Sequence, residues 1–290
     1  MDFLIAVILG VVQGLTEFLP ISSSGHLVIL ERLTGFKLPA LTFHVFLHAG
    51  SLIAVILVLW SDVARLAGDT KILAKDCAAN AAIFFRSVKG ADIRYRVMMR
   101  NNTQKLAALI LTGGAVTGVI AFLLHSAAEE AASSLFISGV GLFVTGILLV
   151  VTDMVKQGDE IPKDVPLRSA FLIGAAQGFS VFPGLSRTAV AACSGIFVGF
   201  NTKTAFRTSC LMYIPVSLGA LIYEVTEGVR AGIFAGNNLW VSLAGMAAAA
   251  LTGTFFLRHA MHMVRSIRLK SFAYYCFAVG AVSVFLSYLL

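Results

Sequence analysis

The sequence predicts an all-α integral membrane protein in which six transmembrane helices and two re-entrant helical hairpins form an inverted repeat. Three observations support this fold class: the composition, six long apolar segments, and two apolar segments that are broken in the middle. Of the 290 residues, 58% are hydrophobic and 13% are charged, whereas soluble domains carry about 25% charged residues. The mean hydropathy of +0.88 therefore favours a chain that lies in a bilayer.

Six segments are long and apolar enough to cross a membrane, because about 20 apolar residues span the hydrocarbon core. They are 42–60, 106–125, 135–153, 207–226, 238–258 and 271–290. Two further segments, 3–33 and 169–199, are apolar overall but are interrupted by LPISSSG and FPGLSRT. Each half of these segments is too short to span, so each segment is expected to form a re-entrant hairpin with a protein-enclosed tip.

Basic residues are concentrated in alternate connections, which predicts the topology. The connections 61–105, 155–168 and 258–270 contain nine, three and four Lys or Arg residues, while 126–134 contains none and 227–237 contains one. Basic connections of a plasma (inner) membrane protein stay in the cytoplasm, so both termini are expected on the outer face. The first hairpin then enters from outside and the second from the cytoplasm.

The net charge of +7 is interpreted as this topology signal and as an attraction to anionic lipid, and no nucleic-acid partner is expected. The long connection 61–105 forms a cytoplasmic loop in this scheme. Its apolar clusters alternate with basic residues, which predicts short amphipathic helices on the inner leaflet. A solvated basic loop is the alternative.

The two hairpins resemble each other when residues are compared at an offset of 164 positions. Five of these pairs are identical and two are similar: Gly10/Gly174, Gln13/Gln177, Gly14/Gly178, Phe18/Phe182 and Ser22/Ser186, then Thr16/Ser180 and Ser24/Thr188. Each half, 1–154 and 169–290, therefore holds one hairpin followed by three spans, and an odd number of spans gives the halves opposite orientation. The alternative is a coincidence of small residues at helix-packing faces.

The segment from Gly10 to His26, GVVQGLTEFLPISSSGH, places polar groups at membrane depth. An unpaired polar group at this depth destabilises the protein by roughly several kcal/mol. Such a cluster therefore indicates a functional site. For any single residue of the cluster, the alternative is a polar side chain at a helix kink whose hydrogen bonds are satisfied within the protein. The tips also expose helix N-termini, which bind anions such as phosphate.

Side chains that suit phosphate chemistry accompany both tips. Arg187 can bind phosphate in a bidentate way, and Ser22, Ser23 and Ser24 are candidate nucleophiles or donors. His26 is a candidate proton carrier and Glu17 a candidate metal ligand or general base. Together these groups fit phosphoryl transfer to water better than ion conduction.

The motif QGLTEFLPISSSGH resembles the first signature of the bacterial undecaprenyl-pyrophosphate phosphatase family, and PGLSR at 183–187 resembles the core of its second. The segments 42–55 and 209–215 are similar to that family's intervening regions. The resemblance implies a divalent-metal-dependent membrane phosphatase that removes the terminal phosphate of a C55 polyprenyl diphosphate. It would recycle the lipid carrier for peptidoglycan synthesis, confer resistance to bacitracin and open its site to the outer face.

The resemblance also implies roles for individual residues. Those expected to be catalytic are Glu17, Ser23, His26 and Arg187; those expected to bind substrate are Gln13, Ser22, Ser24, Gly184, Ser186 and Thr188. The acidic pair of the first signature falls on Gln13 and Glu17. Either Ser23 or His26 attacks phosphorus, and Ser23 with His26 as its base is the favoured arrangement.

Several positions depart from the family pattern. Thr188 and Ala191 stand where the family usually has Ser and Thr, and Arg207 replaces an acidic residue. His44 and His48 also replace the usual side chains, with the i, i+4 spacing of a two-histidine metal pair. The expected cofactor is therefore Mg²⁺ or Ca²⁺ bound at Glu17, with a His44/His48 site, or two histidines that face phosphate or each other, as alternatives.

These departures keep a second class of function open. The alternative to hydrolysis is a polyprenyl-phosphate transporter or flippase that uses the same headgroup site; a purely structural membrane protein fits the polar tips poorly. The expected partners are a polyprenyl diphosphate lipid and the bilayer. A homodimer is left open.

Overall fold

The computed structural model describes residues 2–36, 40–87, 94–156, 158–230, 239–263 and 268–290. Lys89, Arg265 and most of the connection 227–237 lie outside the described residues. Within these ranges the chain is helical, with no β-strand. The helices are α1 (Asp2–Thr16), α2 (Ser23–Thr34), α3 (Ala40–Val58), α4 (Trp60–Ser87), α5 (Asn102–Leu123), α6 (His125–Ala131), α7 (Leu135–Met154), α8 (Arg168–Gly178), a 3-10 turn (Phe179–Val181), α9 (Arg187–Phe197), α10 (Thr202–Arg230), α11 (Leu239–Met263) and α12 (Leu269–Leu289).

Six of these helices correspond to the six predicted spans. Five, namely α5, α7, α10, α11 and α12, are long and apolar enough to cross a membrane by themselves. The sixth predicted span, 42–60, corresponds to α3, which is long and apolar enough only when it is taken together with α4, across a bend of 88°. The all-α, multi-pass membrane fold that the sequence predicts is therefore confirmed.

The connection 61–105 differs from its prediction. Most of its described residues belong to one helix of 28 residues, α4, and α5 begins within it at Asn102, where the sequence suggests a loop with several short helices. Ion pairs hold the start and the middle of this helix: Arg207 binds Asp62 at 2.6 Å, and Arg100 binds Asp76 at 2.9 Å. Because Asp76 is buried, its contact with Arg100 fixes the following segment against the middle of α4.

The two hairpins share one local design. In each, a helix ends before an irregular tip, and a serine then caps the returning helix. The Ser22 side chain accepts a hydrogen bond from the N–H of Gly25, and the Ser186 side chain accepts one from the N–H of Ala189. Ser22 and Ser186 are the pair that matches at an offset of 164, since a serine at this position satisfies a free N–H of the first helical turn.

The helices pack in a pattern that is unchanged when the two halves are exchanged. The first helix of each hairpin packs against the second span of the other half: α1 against α11, and α8 against α5. The first spans do the same, with α3 on α11 and α10 on α5, while α3 meets α10 and α7 meets α12. This packing supports the inverted repeat. Its boundaries, 1–154 and 169–290, stay predictions.

Glycines allow the closest of these helix contacts. A Cβ atom on Gly10 would lie 2.3 Å from the carbonyl oxygen of Gly245, and one on Gly174 would lie 2.3 Å from that of Gly113. The repeated glycines are thus helix-packing residues in both halves, as small residues commonly are in membranes. They serve the same contact in each repeat, so their resemblance reflects the repeat and not only a packing preference.

We expect Gly174→Ala to lower the free energy of unfolding by about 1–3 kcal/mol, because the added methyl group forces α8 away from α5. The measurement is thermal unfolding of the detergent-solubilised protein. Gly118→Ala is the matched control, since Gly118 is also on α5 and has no atom within 4 Å of its Cβ position. Equal melting temperatures for the two variants would contradict the close-packing role.

Candidate active site

The tips of the two hairpins are joined by two hydrogen bonds, both donated by the second tip to the first. The N–H of Gly184 donates to Oγ of Ser24 at 3.3 Å, and Oγ1 of Thr188 donates to the carbonyl oxygen of Glu17 at 2.8 Å. Ser24 and Thr188 are again a pair of the repeat. Thr145 of α7 braces the second tip by donating to the carbonyl oxygen of Gly184 at 2.9 Å. The structure therefore brings the two predicted tips together.

Glu17 lies at the centre of the site and is 5% exposed. Its Oε2 atom accepts a hydrogen bond from Nε2 of Gln13 at 2.9 Å and a second one from Oγ of Ser23. The same Gln13 nitrogen lies 3.2 Å from Oγ of Ser51 and 3.3 Å from Nδ1 of His48. The carboxylate is thus held by a network that contains the predicted nucleophile.

Arg187 supplies the positive charge opposite this carboxylate. It is the first residue of α9, and its charge acts on Glu17. Its Nη1 atom donates to Oγ of Ser217 at 3.3 Å, and its guanidinium carbon lies 5.5 Å from the ring centre of Tyr213. A hydroxyl, a carboxylate and a guanidinium therefore converge on one place, and each is fixed by a neighbour.

His26 is directed away from Ser23. Its Nδ1 atom lies 2.7 Å from the carbonyl oxygen of Ser22, and its Nε2 atom lies 2.8 Å from the hydroxyl of Tyr275, on which the ring also stacks. A carbonyl oxygen only accepts, so Nδ1 of the neutral ring donates and Nε2 accepts from Tyr275. The hydroxyl of Ser23 donates to Glu17 instead, so the favoured pairing of Ser23 with His26 is not the one that the structure forms.

Arg207, His44 and His48, which depart from the family pattern, have different surroundings. Arg207 does not join the site: it forms a bidentate ion pair with Asp62 and lines a separate cavity of about 590 Å³ beside the starts of α5 and α10. His44 binds Oε1 of Glu31 at 2.6 Å through its Nε2 atom, while His48 contacts Gln13. The two histidines therefore have different partners, and the described part of the chain contains no cluster of three or more His, Cys, Asp or Glu side chains suited to a metal.

Sequence reasoning missed several residues at the site. Ser51, Tyr213, Ser217 and Tyr275 contact predicted site residues, and the charges of Arg187 and His44 act on Glu224. Helical spacing was the available signal: Tyr213, Ser217 and Glu224 recur at i, i+4 and i+11, and His44, His48 and Ser51 at i, i+4 and i+7. Such spacings place polar side chains on one face of an otherwise apolar span.

One buried oxygen bears on the expected cation. Oε1 of Gln13 is buried and has no hydrogen-bond partner among the described residues. It belongs to the same side-chain amide whose nitrogen donates to the carboxylate of Glu17. Oxygen donors of this kind suit Mg²⁺ or Ca²⁺, and Mg²⁺ commonly takes one or two protein ligands with the remainder from substrate phosphates and water. The residues present therefore fit such a cation.

The fold and the site together define a polytopic membrane protein with an intramembrane site for an anionic, phosphate-like group, built from two re-entrant tips. A family model described as "Bacitracin resistance protein BacA" matches residues 6–282. The chain belongs to this family.

Three relatives that match over nearly their whole length share one name. A protein named undecaprenyl-diphosphatase from Methanosphaera stadtmanae is 33% identical over 290 residues, which covers the whole of both chains. One with the same name from Desulfatibacillum aliphaticivorans is 36% identical over 282 residues, or 97% of each chain, and one from Halothermothrix orenii is 33% identical over 288 residues, or 99% of each chain.

We expect Thr188→Val to lower the free energy of unfolding by about 1–3 kcal/mol, because it leaves the buried carbonyl oxygen of Glu17 without its donor. Thr188→Ser keeps the hydroxyl and is expected to retain most of the stability. Chemical unfolding of the detergent-solubilised variants measures the difference. If the Val and Ser variants unfold alike, the contact between the tips contributes nothing.

Proposed function

We propose that this protein is an undecaprenyl-diphosphatase, which converts the polyprenyl diphosphate to the monophosphate and inorganic phosphate. The observation that carries the proposal is the hydrogen bond from Ser23 to the buried carboxylate of Glu17, with Arg187 opposite. The names of the relatives favour hydrolysis over the alternative of transport without hydrolysis. This activity recycles the lipid carrier for cell-wall synthesis and gives resistance to bacitracin.

In the first step, Oγ of Ser23 forms a bond to the terminal phosphorus while the bond to the bridging oxygen breaks. Glu17 takes the hydroxyl proton at Oε2, and the polyprenyl monophosphate leaves with the bonding electrons. Arg187 and the N–H groups of the first turn of α9 balance the charge on the phosphoryl oxygens. Gly184, Ser186 and Thr188 shape the tip that receives them.

In the second step, water attacks the phosphoserine, and the bond between phosphorus and Oγ breaks. Glu17 returns its proton to Oγ of Ser23, inorganic phosphate leaves with both protons of the water, and the enzyme returns to its starting state. His26 has no direct part in this scheme: with Tyr275 it holds the carbonyl oxygen of Ser22, the residue that caps α2 and precedes the nucleophile. Ser22 and Ser24, whose hydroxyls lie 3.1 Å apart, face the headgroup.

Oε1 of Gln13 and the carboxylate of Glu17 would hold the divalent cation. When bound, the cation would offset the charge of the diphosphate. His48 stays beside Gln13 and helps to orient its amide, because its Nδ1 atom lies 3.3 Å from the amide nitrogen.

The positive-inside pattern supports a site that opens to the outer face, with both termini on that side. The headgroup would enter between the tips while the polyprenyl tail stays among lipids. A dimer is not needed to complete the site, since both tips belong to one chain.

We expect purified protein to release phosphate from undecaprenyl diphosphate, and Ser23→Ala, Glu17→Gln and Arg187→Ala each to lower kcat by about 10²–10⁴-fold, because each removes an acid–base, nucleophilic or charge-stabilising group. Ser287→Ala is the control, since its hydroxyl donates to the carbonyl oxygen of Val284 within α12. A wild type without phosphate release would overturn hydrolysis and return transport to consideration.

We also expect EDTA to abolish the activity and added Mg²⁺ or Ca²⁺ to restore it. Gln13→Glu adds a carboxylate to the cation ligands and is expected to lower the cation concentration that gives half-maximal rate; Gln13→Leu removes an oxygen ligand and should raise it. The cation dependence of phosphate release is the measurement. Identical curves for the three proteins would show that the cation binds elsewhere.

A further inference from the structure

Tyr213 lies inside the site but has no role in the scheme above. It belongs to α10 and is 2% exposed. Its ring packs edge-on against Phe18 at 5.7 Å, and the guanidinium of Arg187 lies over its face. Phe18 follows Glu17 in the chain, so the ring joins the first tip to the arginine of the second.

The hydroxyl of Tyr213 is placed between the two halves of the site. The hydroxyls of Ser51 and Ser217 are its neighbours, and the charges of Glu17 and Arg187 both act on it. Ser51 contacts Gln13, and Ser217 accepts the hydrogen bond of Arg187. The hydroxyl therefore faces the place where the phosphate is expected.

This hydroxyl is buried and makes no hydrogen bond of good geometry within the described part of the chain, although the hydroxyls of Ser51 and Ser217 lie close to it. A buried donor without a partner is destabilising by roughly 1–3 kcal/mol, and phenylalanine would fill the same space without that cost. Packing explains the ring but not the oxygen. Such a group inside a binding site forms a stabilising hydrogen bond only when a bound ligand supplies the acceptor.

We propose that Tyr213 is a substrate-binding residue whose hydroxyl donates a hydrogen bond to a phosphoryl oxygen of the bound diphosphate. The inference rests on the proposed function, because it assigns the ligand of the same site. Its aromatic face keeps Arg187 in position through a cation–π contact. The ring therefore positions the arginine that binds the phosphate group, and the hydroxyl binds the same group directly. The two groups then have complementary roles. Oε1 of Gln13 is a ligand of the cation, and Oη of Tyr213 is a hydrogen-bond donor to the phosphate.

The experiment compares the wild type with Tyr213→Phe, which keeps the ring and removes only the oxygen. We expect kcat/KM for phosphate release from a polyprenyl diphosphate to fall about 10- to 100-fold, as the loss of one hydrogen bond to a charged group predicts. We also expect the ligand-free variant to melt at the same temperature as the wild type or higher. Tyr223→Phe on the same helix is the control and should leave both values unchanged.

The two measurements separate a ligand contact from a structural one. A variant that melts at a lower temperature with unchanged kcat/KM would overturn the inference, because the hydroxyl would then serve the fold. Unchanged kcat/KM together with unchanged melting would overturn it as well.

Binding of a farnesyl methylenediphosphonate, whose P–C–P bridge resists hydrolysis, distinguishes this inference from the proposed function. If the wild type releases no phosphate but Tyr213→Phe still binds this probe about 10-fold more weakly, hydrolysis fails and the headgroup contact stands. If the wild type is active and both proteins bind the probe equally well, the headgroup contact fails and hydrolysis stands.

Discussion

The burial of Glu17 is the constraint on which the site depends. A carboxylate at membrane depth is costly unless opposite charge and donors surround it. Here Gln13 and Ser23 donate to it, and Arg187 supplies the positive charge. These partners come from both hairpins, so the charge can be accommodated only when the tips meet. Assembly of the two halves and formation of the site are therefore the same event.

Close helix packing makes that meeting geometrically possible. Glycines at equivalent places in the two halves let α1 approach α11 and α8 approach α5 until backbone atoms are in contact. Because the hydrophobic effect does not favour helix association within lipid, such contacts and interhelical hydrogen bonds provide the driving force. The tips are carried on these helices, and the hydrogen bonds from Gly184 to Ser24 and from Thr188 to Glu17 align them.

Two buried polar atoms of the site have opposite character. Oε1 of Gln13 accepts and Oη of Tyr213 donates, and neither makes a hydrogen bond of good geometry within the described residues. A site that binds a diphosphate together with a cation requires both kinds of group. Buried groups of this sort are retained at functional sites although they weaken the fold.

The sequence by itself determined the membrane class, the two broken segments and the repeated serine of their tips, and it predicted several side chains that the structure brings together at those tips. These features follow from local chemistry: apolar length decides what can span a bilayer, and a serine at a helix start satisfies its own neighbouring N–H group. Only the tertiary structure decided which groups are partners. It paired Ser23 with Glu17 and not with His26, placed Arg207 on Asp62, and brought Tyr213 and Ser217 to Arg187. Hydrogen bonds act over about 3 Å, whereas Thr188 and Glu17 are 171 positions apart in the chain. The periodicity and spacing of residues in the sequence therefore do not show that these two residues are in contact.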